Sequence, residues 1–162
     1  MSILTARKYT TIIIGQYLIL FFDICVNSFG SFARQHPINL LVLYVIQDFC
    51  LIVALIVLLV NFFSTYIFQA GLIQLLYIRF RMTLIVCILY LVLSIILHIW
   101  HITLHWSNPL THNWTKGFHA IFAVHRIVSV FYYYFYKRAA LKIADPKLYE
   151  GSSWVEKQLS LL

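Results

Sequence analysis

Charged residues are scarce in this chain. Only 10% of its 162 residues are charged, whereas 62% are hydrophobic and the mean hydropathy is +0.87. A soluble domain carries about 25% charged residues and roughly half apolar ones, and a domain this short leaves much of its surface exposed. The apolar excess must therefore face lipid, which predicts an integral membrane protein and argues against a soluble domain.

The sequence also lacks the motifs of soluble catalysis. It contains no Gly-rich phosphate loop, no G-x-S-x-G and no zinc-binding spacing. Cys25, Cys50 and Cys87 are odd in number, lie inside apolar stretches and form no C-x-x-C pair. This pattern indicates neither a disulfide framework nor a metal site. We therefore expect a protein that is not an enzyme and that holds no cofactor or metal.

Four long apolar runs are present instead. A hydrocarbon core about 30 Å thick requires about 20 residues of helix. The runs cover about residues 9–30, 38–63, 82–104 and 117–136. The sequence thus predicts an all-α membrane protein, with a four-helix transmembrane bundle over residues 1–138 and a C-terminal tail over residues 139–162.

Basic residues outnumber acidic ones, twelve to five, and they predict the topology. With a cytosolic N-terminus, the only basic loop residues outside are Arg34 and Lys116. The other side then holds Arg7, Lys8, Arg79, Arg81, Lys137, Arg138, Lys142, Lys147 and Lys157. Because cytoplasmic loops carry the excess of Lys and Arg, both termini and the tail are predicted to be cytosolic.

The same topology places a glycosylation sequon in a lumenal loop. Asn113-Trp114-Thr115 has the N-x-[ST] pattern, so Asn113 is a predicted glycosylation site. The basic residues border apolar runs, where contacts with anionic lipid headgroups are expected. They favour membrane lipids as partners and argue against nucleic-acid binding.

Three ionisable residues fall within the predicted spans. At a rise of 1.5 Å per residue, Asp23, Asp48 and Arg126 lie about 11, 15 and 14 Å from the same surface. A guanidinium can satisfy two carboxylates, so we expect Arg126 to pair with Asp48, Asp23 or both. Gln16, Asp23 and Asn27 share one face of the first helix. We expect that face to point into the bundle and to form an intramembrane polar network with the other two residues.

Two roles for this network remain open. Polar residues fix helix register and packing in many membrane bundles. In the first role, the network is purely structural. Alternatively, ionisable residues in a membrane mark ion and proton pathways, and the chain would then be a small channel or transporter.

Histidines and aromatic residues cluster in the second half of the chain. His98, His101 and His105 follow helical spacing, and three further histidines stand at His112, His119 and His125. Histidines on facing helices can hold haem or a metal, but a position near the lumenal interface explains those of the third helix without a ligand. The aromatic block 131–136 precedes two basic residues and is typical of an interfacial aromatic belt.

Several segments resemble the transmembrane protein 138 family of ciliary membrane proteins. They are 23–29 (DICVNSF), 45–48 (VIQD), 68–72 (FQAGL), 97–100 (LHIW) and 134–139 (YFYKRA), followed by Asp145-Pro146. Asp23, Asn27, Asp48 and Arg126 all lie at positions that match the family pattern. The resemblance runs in order along nearly the whole chain.

The resemblance implies a non-enzymatic role in assembling cilia, without a cofactor. Members of the family act at the ciliary base and transition zone and help to deliver membrane proteins into the cilium. The implied partners are other ciliary membrane proteins. The implied location is the cilium or its base, and an endomembrane or vacuolar pool is compatible with it. A small ion or proton channel using the Asp, Arg and His layer is the alternative.

Overall fold

The computed structural model describes residues 3–30, 36–63, 73–106 and 116–143. Four α-helices make up these segments: α1 Ile3–Phe29, α2 Pro37–Phe63, α3 Ile73–His105 and α4 Lys116–Ile143. The prediction of an all-α protein is confirmed. The predicted glycosylation site Asn113 and the tail from residue 144 onward lie outside the described residues.

Three of the helices contain segments long and apolar enough to cross a membrane. These segments are Thr10–Phe29 in α1, Pro37–Phe63 in α2 and Phe80–Leu104 in α3. Pro37 stands at the first position of α2, where its missing N–H costs no helical hydrogen bond. The 28 residues of α4 correspond to a length of about 42 Å, but its histidines, tyrosines and Arg126 make it less apolar.

Three helices extend beyond the predicted apolar runs. α1 begins at Ile3 rather than near residue 9, α3 begins at Ile73 rather than near residue 82, and α4 continues to Ile143 rather than ending near residue 136. None of these extensions contains glycine or proline, the residues that most often end a helix. Hydropathy therefore locates the apolar part of each helix but not the turns that continue past it.

The four helices form an antiparallel bundle in which α3 and α4 share the most extensive interface. α2 packs against α1 and α3, and α1 also contacts α4. The main apolar cluster comes from α2, α3 and α4 and consists of Leu51, Ala54, Leu58, Phe62, Phe80, Cys87, Tyr90, Tyr132, Tyr136, Ala139 and Ile143. It fills the half of the bundle nearer the predicted cytosolic side.

α1 joins this bundle mainly through polar residues. Its buried side chains in the described range are Gln16, Asp23 and Val26, whereas Ile19 and Leu20 pack only partly against the apolar cluster. Two of the three buried side chains in the described part of α1 are therefore polar.

The exterior of the bundle is apolar on all four helices. Phe21 on α1, Val45 on α2, Ile88 on α3 and Val130 on α4 are each more than half exposed. A soluble protein rarely exposes apolar surface on this scale. The outward side chains match a hydrocarbon environment, as expected for an integral membrane protein.

Candidate functional site

A buried carboxylate connects all four helices. Asp23 of α1 is 1% exposed. Its Oδ1 accepts a hydrogen bond from Gln47 Nε2 of α2 at 2.6 Å. Its Oδ2 accepts from the hydroxyl of Tyr90 on α3 at 2.8 Å and from that of Tyr133 on α4 at 2.7 Å. Three helices thus each donate one hydrogen bond to a single carboxylate on the fourth.

Asn27 lies one turn after Asp23 and strengthens the same cluster. Its Nδ2 has two protons and lies within hydrogen-bonding distance of three acceptors, which share them: Asp23 Oδ2 at 3.2 Å, the Tyr90 hydroxyl at 2.7 Å and the Tyr133 hydroxyl at 2.9 Å. Gln47 Nε2 also donates to Asn27 Oδ1, at 3.4 Å. We call Asp23, Asn27, Gln47, Tyr90 and Tyr133 the Asp23 cluster.

A second cluster lies nearer the predicted lumenal end, between α2 and α3. His98 Nδ1 is 2.9 Å from Asp48 Oδ1, and the two form an ion pair when His98 is protonated. Tyr44 stacks on the His98 ring, with centroids 4.0 Å apart, and its hydroxyl is 2.9 Å from His101 Nδ1. His101 in turn stacks on Phe118 of α4. The partner of Asp48 is therefore His98 rather than Arg126.

A third polar contact joins α3 and α4 directly. His125 is fully buried, and its Nε2 lies 2.9 Å from the Ser94 hydroxyl. Its ring stacks on Tyr90 of the Asp23 cluster with centroids 5.0 Å apart. Nδ1 of His125 has no hydrogen-bond partner among the described residues. This histidine is thus held by one hydrogen bond and by ring packing.

The ion pair predicted for Arg126 is not formed among the described residues. Its guanidinium donates to the backbone carbonyl of Asn27 and lies over the Phe122 ring, 4.9 Å from the centroid. Asp48 instead pairs with His98, and Asp23 accepts its four hydrogen bonds from uncharged donors. Similar depth along a helix does not fix the direction in which a side chain points, so the carboxylates meet other groups.

Arg126 borders a cavity of about 140 Å³ between the helices. Asn27, Tyr44, His98 and His101 provide the rest of its polar lining. The apolar lining consists of Val26, Leu97, Phe118 and Phe122, with Gly30 at the end of α1. The cavity lining therefore combines a cationic group with several apolar side chains.

The residues predicted for one network fall into separate places. Asp23 and Asn27 lie together, while Asp48 belongs to the histidine cluster and Arg126 borders the cavity. Gln16 is buried on the same helix, but its Nε2 has no hydrogen-bond partner among the described residues. Within the described ranges, no three His, Cys, Asp or Glu side chains are grouped so that they could hold a metal ion.

Sequence reasoning missed three members of the Asp23 cluster: Gln47, Tyr90 and Tyr133. Tyr133 belongs to the block predicted as an interfacial belt, yet its hydroxyl lies in the bundle interior. The block is split by helical geometry, because Tyr132 and Tyr136 are buried whereas Tyr134 is exposed. The buried residues of α4 are spaced four, three and four residues apart: His125, Ser129, Tyr132 and Tyr136. This helical spacing in the sequence indicates which face of α4 points into the bundle.

Three apolar helices, an apolar exterior and a buried polar cluster define an all-helical, multi-pass integral membrane protein. Comparison with known sequences gives the particular family. The sequence model of transmembrane protein 138 matches residues 40–158. The protein named transmembrane protein 138 from Xenopus tropicalis is 42% identical to this chain over 153 residues, which is 94% of each chain. In Mus musculus the identity is 39% over 155 residues, which is 96% of each chain.

A third relative of the same name, from Danio rerio, is 43% identical over 152 residues, again 94% of each chain. The chain belongs to the transmembrane protein 138 family. No solved structure matches it.

Proposed function

We propose that this chain is a four-span membrane protein with both termini in the cytosol, acting without catalysis as a scaffold or trafficking partner for ciliary membrane proteins. The ciliary setting comes from the family resemblance and is part of the proposal. So is its placement at the ciliary base.

The geometry of α4 supports a fourth span. It has the length for a membrane crossing, and its inner face packs on α3, the partner with which it shares the largest interface. Its outer face is apolar, because Val124, Ile127 and Val130 are all exposed. Arg126 and His125 lower the hydropathy of α4, but both are engaged by other helices.

The observation that carries the scaffold proposal is the Asp23 cluster. Hydrogen bonds from three helices meet on a carboxylate of the fourth, so the cluster holds the four helices in one arrangement. Helices in membranes associate through close packing and interhelical hydrogen bonds. A bundle whose polar groups are used internally keeps its outer apolar faces for lateral contacts with other membrane proteins.

A mild-detergent pull-down of the tagged protein from ciliated cells, combined with imaging of the tag, tests the proposal. The expected result is a signal at the ciliary base and the same set of co-purifying membrane proteins in repeated preparations. A protein that purifies alone and is distributed over other membranes would contradict the ciliary scaffold.

A flux assay distinguishes the scaffold from the channel or transporter. The purified protein is reconstituted in liposomes and compared with the Asp48→Asn variant. A scaffold gives no ion or proton flux with either protein. Flux that depends on Asp48 would favour the transport function.

The topology is tested by placing glycosylation tags at each terminus and by the Asn113→Gln variant. We expect unmodified terminal tags and a mobility shift that is lost in Asn113→Gln. Modification of either terminal tag would overturn the proposed orientation.

A further inference from the structure

We propose that the cavity beside Arg126 binds an oxyanion, a carboxylate or phosphate, carried by an amphipathic lipid. The inference rests on the proposed fourth span but not on the scaffold role, and it concerns a site within the bundle. It stands on three observations: an arginine without an acidic partner among the described residues, a cavity that reaches it, and a set of apolar side chains in the lining of that cavity.

The charge of Arg126 is the first observation. A charged side chain within a membrane span is costly and normally pairs with an opposite charge. Both carboxylates of the spans are engaged elsewhere, Asp48 by His98 and Asp23 by its four donors. Among the described residues, the partners of Arg126 are a backbone carbonyl and an aromatic ring. A bound anion would supply the missing counter-charge.

The shape and size of the cavity are the second observation. Its volume of about 140 Å³ is close to that of a cavity able to hold a benzene molecule, and it suffices for a carboxylate or phosphate group. Guanidinium forks bind both groups through paired hydrogen bonds. Asn27 uses its backbone carbonyl to hold Arg126 at the edge of this space, which positions the guanidinium before a ligand arrives.

The histidine beside the cavity extends its polar side. Asp48 engages His98 through Nδ1, so Nε2 is the nitrogen left for a ligand. With the proton on Nδ1, Nε2 accepts a hydrogen bond from a headgroup hydroxyl. Tyr44 stacks on the ring and fixes its orientation.

The apolar lining is the third observation and favours a lipid over a free ion. Val26, Leu97, Phe118 and Phe122 make up the apolar part of the cavity lining. A free phosphate buries no apolar area against these side chains. A lipid does, through the first carbons of its acyl chain or of its glycerol backbone, and this burial favours binding.

Binding can be measured by native mass spectrometry of the full chain in a neutral detergent. Dioleoyl phosphatidic acid is titrated against dioleoyl phosphatidylcholine, and inorganic phosphate is added as a competitor. We expect one tightly held phosphatidic acid per chain and a clear preference over phosphatidylcholine. Displacement by millimolar phosphate would identify the anion alone as sufficient, and its failure would identify the lipid as the required source.

Arg126→Gln is the test variant and Arg138→Gln its matched control on the same helix, outside the cavity. We expect Arg126→Gln to weaken phosphatidic acid binding by roughly tenfold or more, the effect of losing a charge-assisted hydrogen bond. Arg138→Gln should change the affinity for phosphatidic acid by no more than about twofold, since exposed charges contribute little to binding. Equal losses in both variants would show general attraction to basic residues and overturn the site, as would undiminished binding by Arg126→Gln.

Two further variants keep the test decisive if Arg126→Gln does not fold. Arg126→Lys retains the charge but loses the planar fork, and it should bind phosphatidic acid more weakly than the wild type. Leu97→Phe fills part of the apolar side without changing charge, and it should also weaken binding while phosphatidylcholine retention stays unchanged. Wild-type affinity in both folded variants would refute the cavity as the binding site.

Discussion

Removing the Asp23 carboxylate should destabilise the bundle more than any other single substitution of a polar residue in α1. In Asp23→Ala, the donors from Gln47, Tyr90 and Tyr133 all lose their common acceptor. Interhelical hydrogen bonds in membrane proteins contribute about 0.6 kcal/mol on average and about 1.7 kcal/mol at most. Three such bonds give an expected loss of about 2 kcal/mol, with an upper bound of about 5 kcal/mol.

Asp23→Asn should cost less, because Gln47 can adapt to it. Gln47 Oε1 has no hydrogen-bond partner among the described residues, so a rotation of its amide would present an acceptor to the new NH2 group. The remaining oxygen can still accept from the tyrosine hydroxyls. We expect a loss of about 1 kcal/mol, the net contribution of one ordinary hydrogen bond.

The assay measures the free energy of unfolding in mixed micelles. Dodecyl sulfate is titrated into the micelles, and the loss of helix is followed by circular dichroism. Ser28→Ala serves as the control, since Ser28 is exposed on the same helix and should change the free energy by less than about 0.5 kcal/mol. If Asp23→Ala unfolds at the same point as Ser28→Ala, the carboxylate does not hold the helices together, and the reasoning from the Asp23 cluster fails.

Three further predictions use the same assay. Tyr133→Phe should lower the free energy of unfolding by about 1 kcal/mol, because it loses its hydrogen bonds to α1. Tyr134→Phe, on the exposed face, should lower it by less than about 0.5 kcal/mol. Equal losses would contradict the assigned faces. Alanine substitutions of Asp48 and His98 should be non-additive by at least about 0.5 kcal/mol, and simple additivity would argue against their contact. Gly15→Ala should stabilise α1 by about 0.5–1 kcal/mol, because nothing lies within 4 Å of the added methyl group; a loss would reveal a hidden contact there.

The sequence predicted the helices and the inward face of α1 from residue type and spacing alone. Composition and run length suffice to identify the three apolar spans, because lipid contact leaves no other place for so many apolar side chains. Asp23 and Asn27 could be assigned to one face because they lie four residues apart, and in the structure they are hydrogen bonded to each other.

The partners of Asp23 could not be predicted in the same way. Successive residues on a helix point about 100° apart, so Gln47 and Asp48 face different neighbours although their depths are nearly equal. Only the rotation of α2 about its axis decides that Gln47 meets Asp23 and Asp48 meets His98. Packing of the whole bundle sets that rotation, and no local pattern in α2 reports it.

The hydrogen bonds of Asp23 also impose an order on biogenesis. Its most distant partner, Tyr133, is 110 residues later in the chain, so α1 enters the bilayer long before that hydroxyl is synthesised. Until α4 arrives, the carboxylate can be reached by its donors Asn27, Gln47 and Tyr90 but not by Tyr133. A chain that stops before α4 therefore carries an acidic group whose hydrogen bonds are incomplete, which is unfavourable in hydrocarbon.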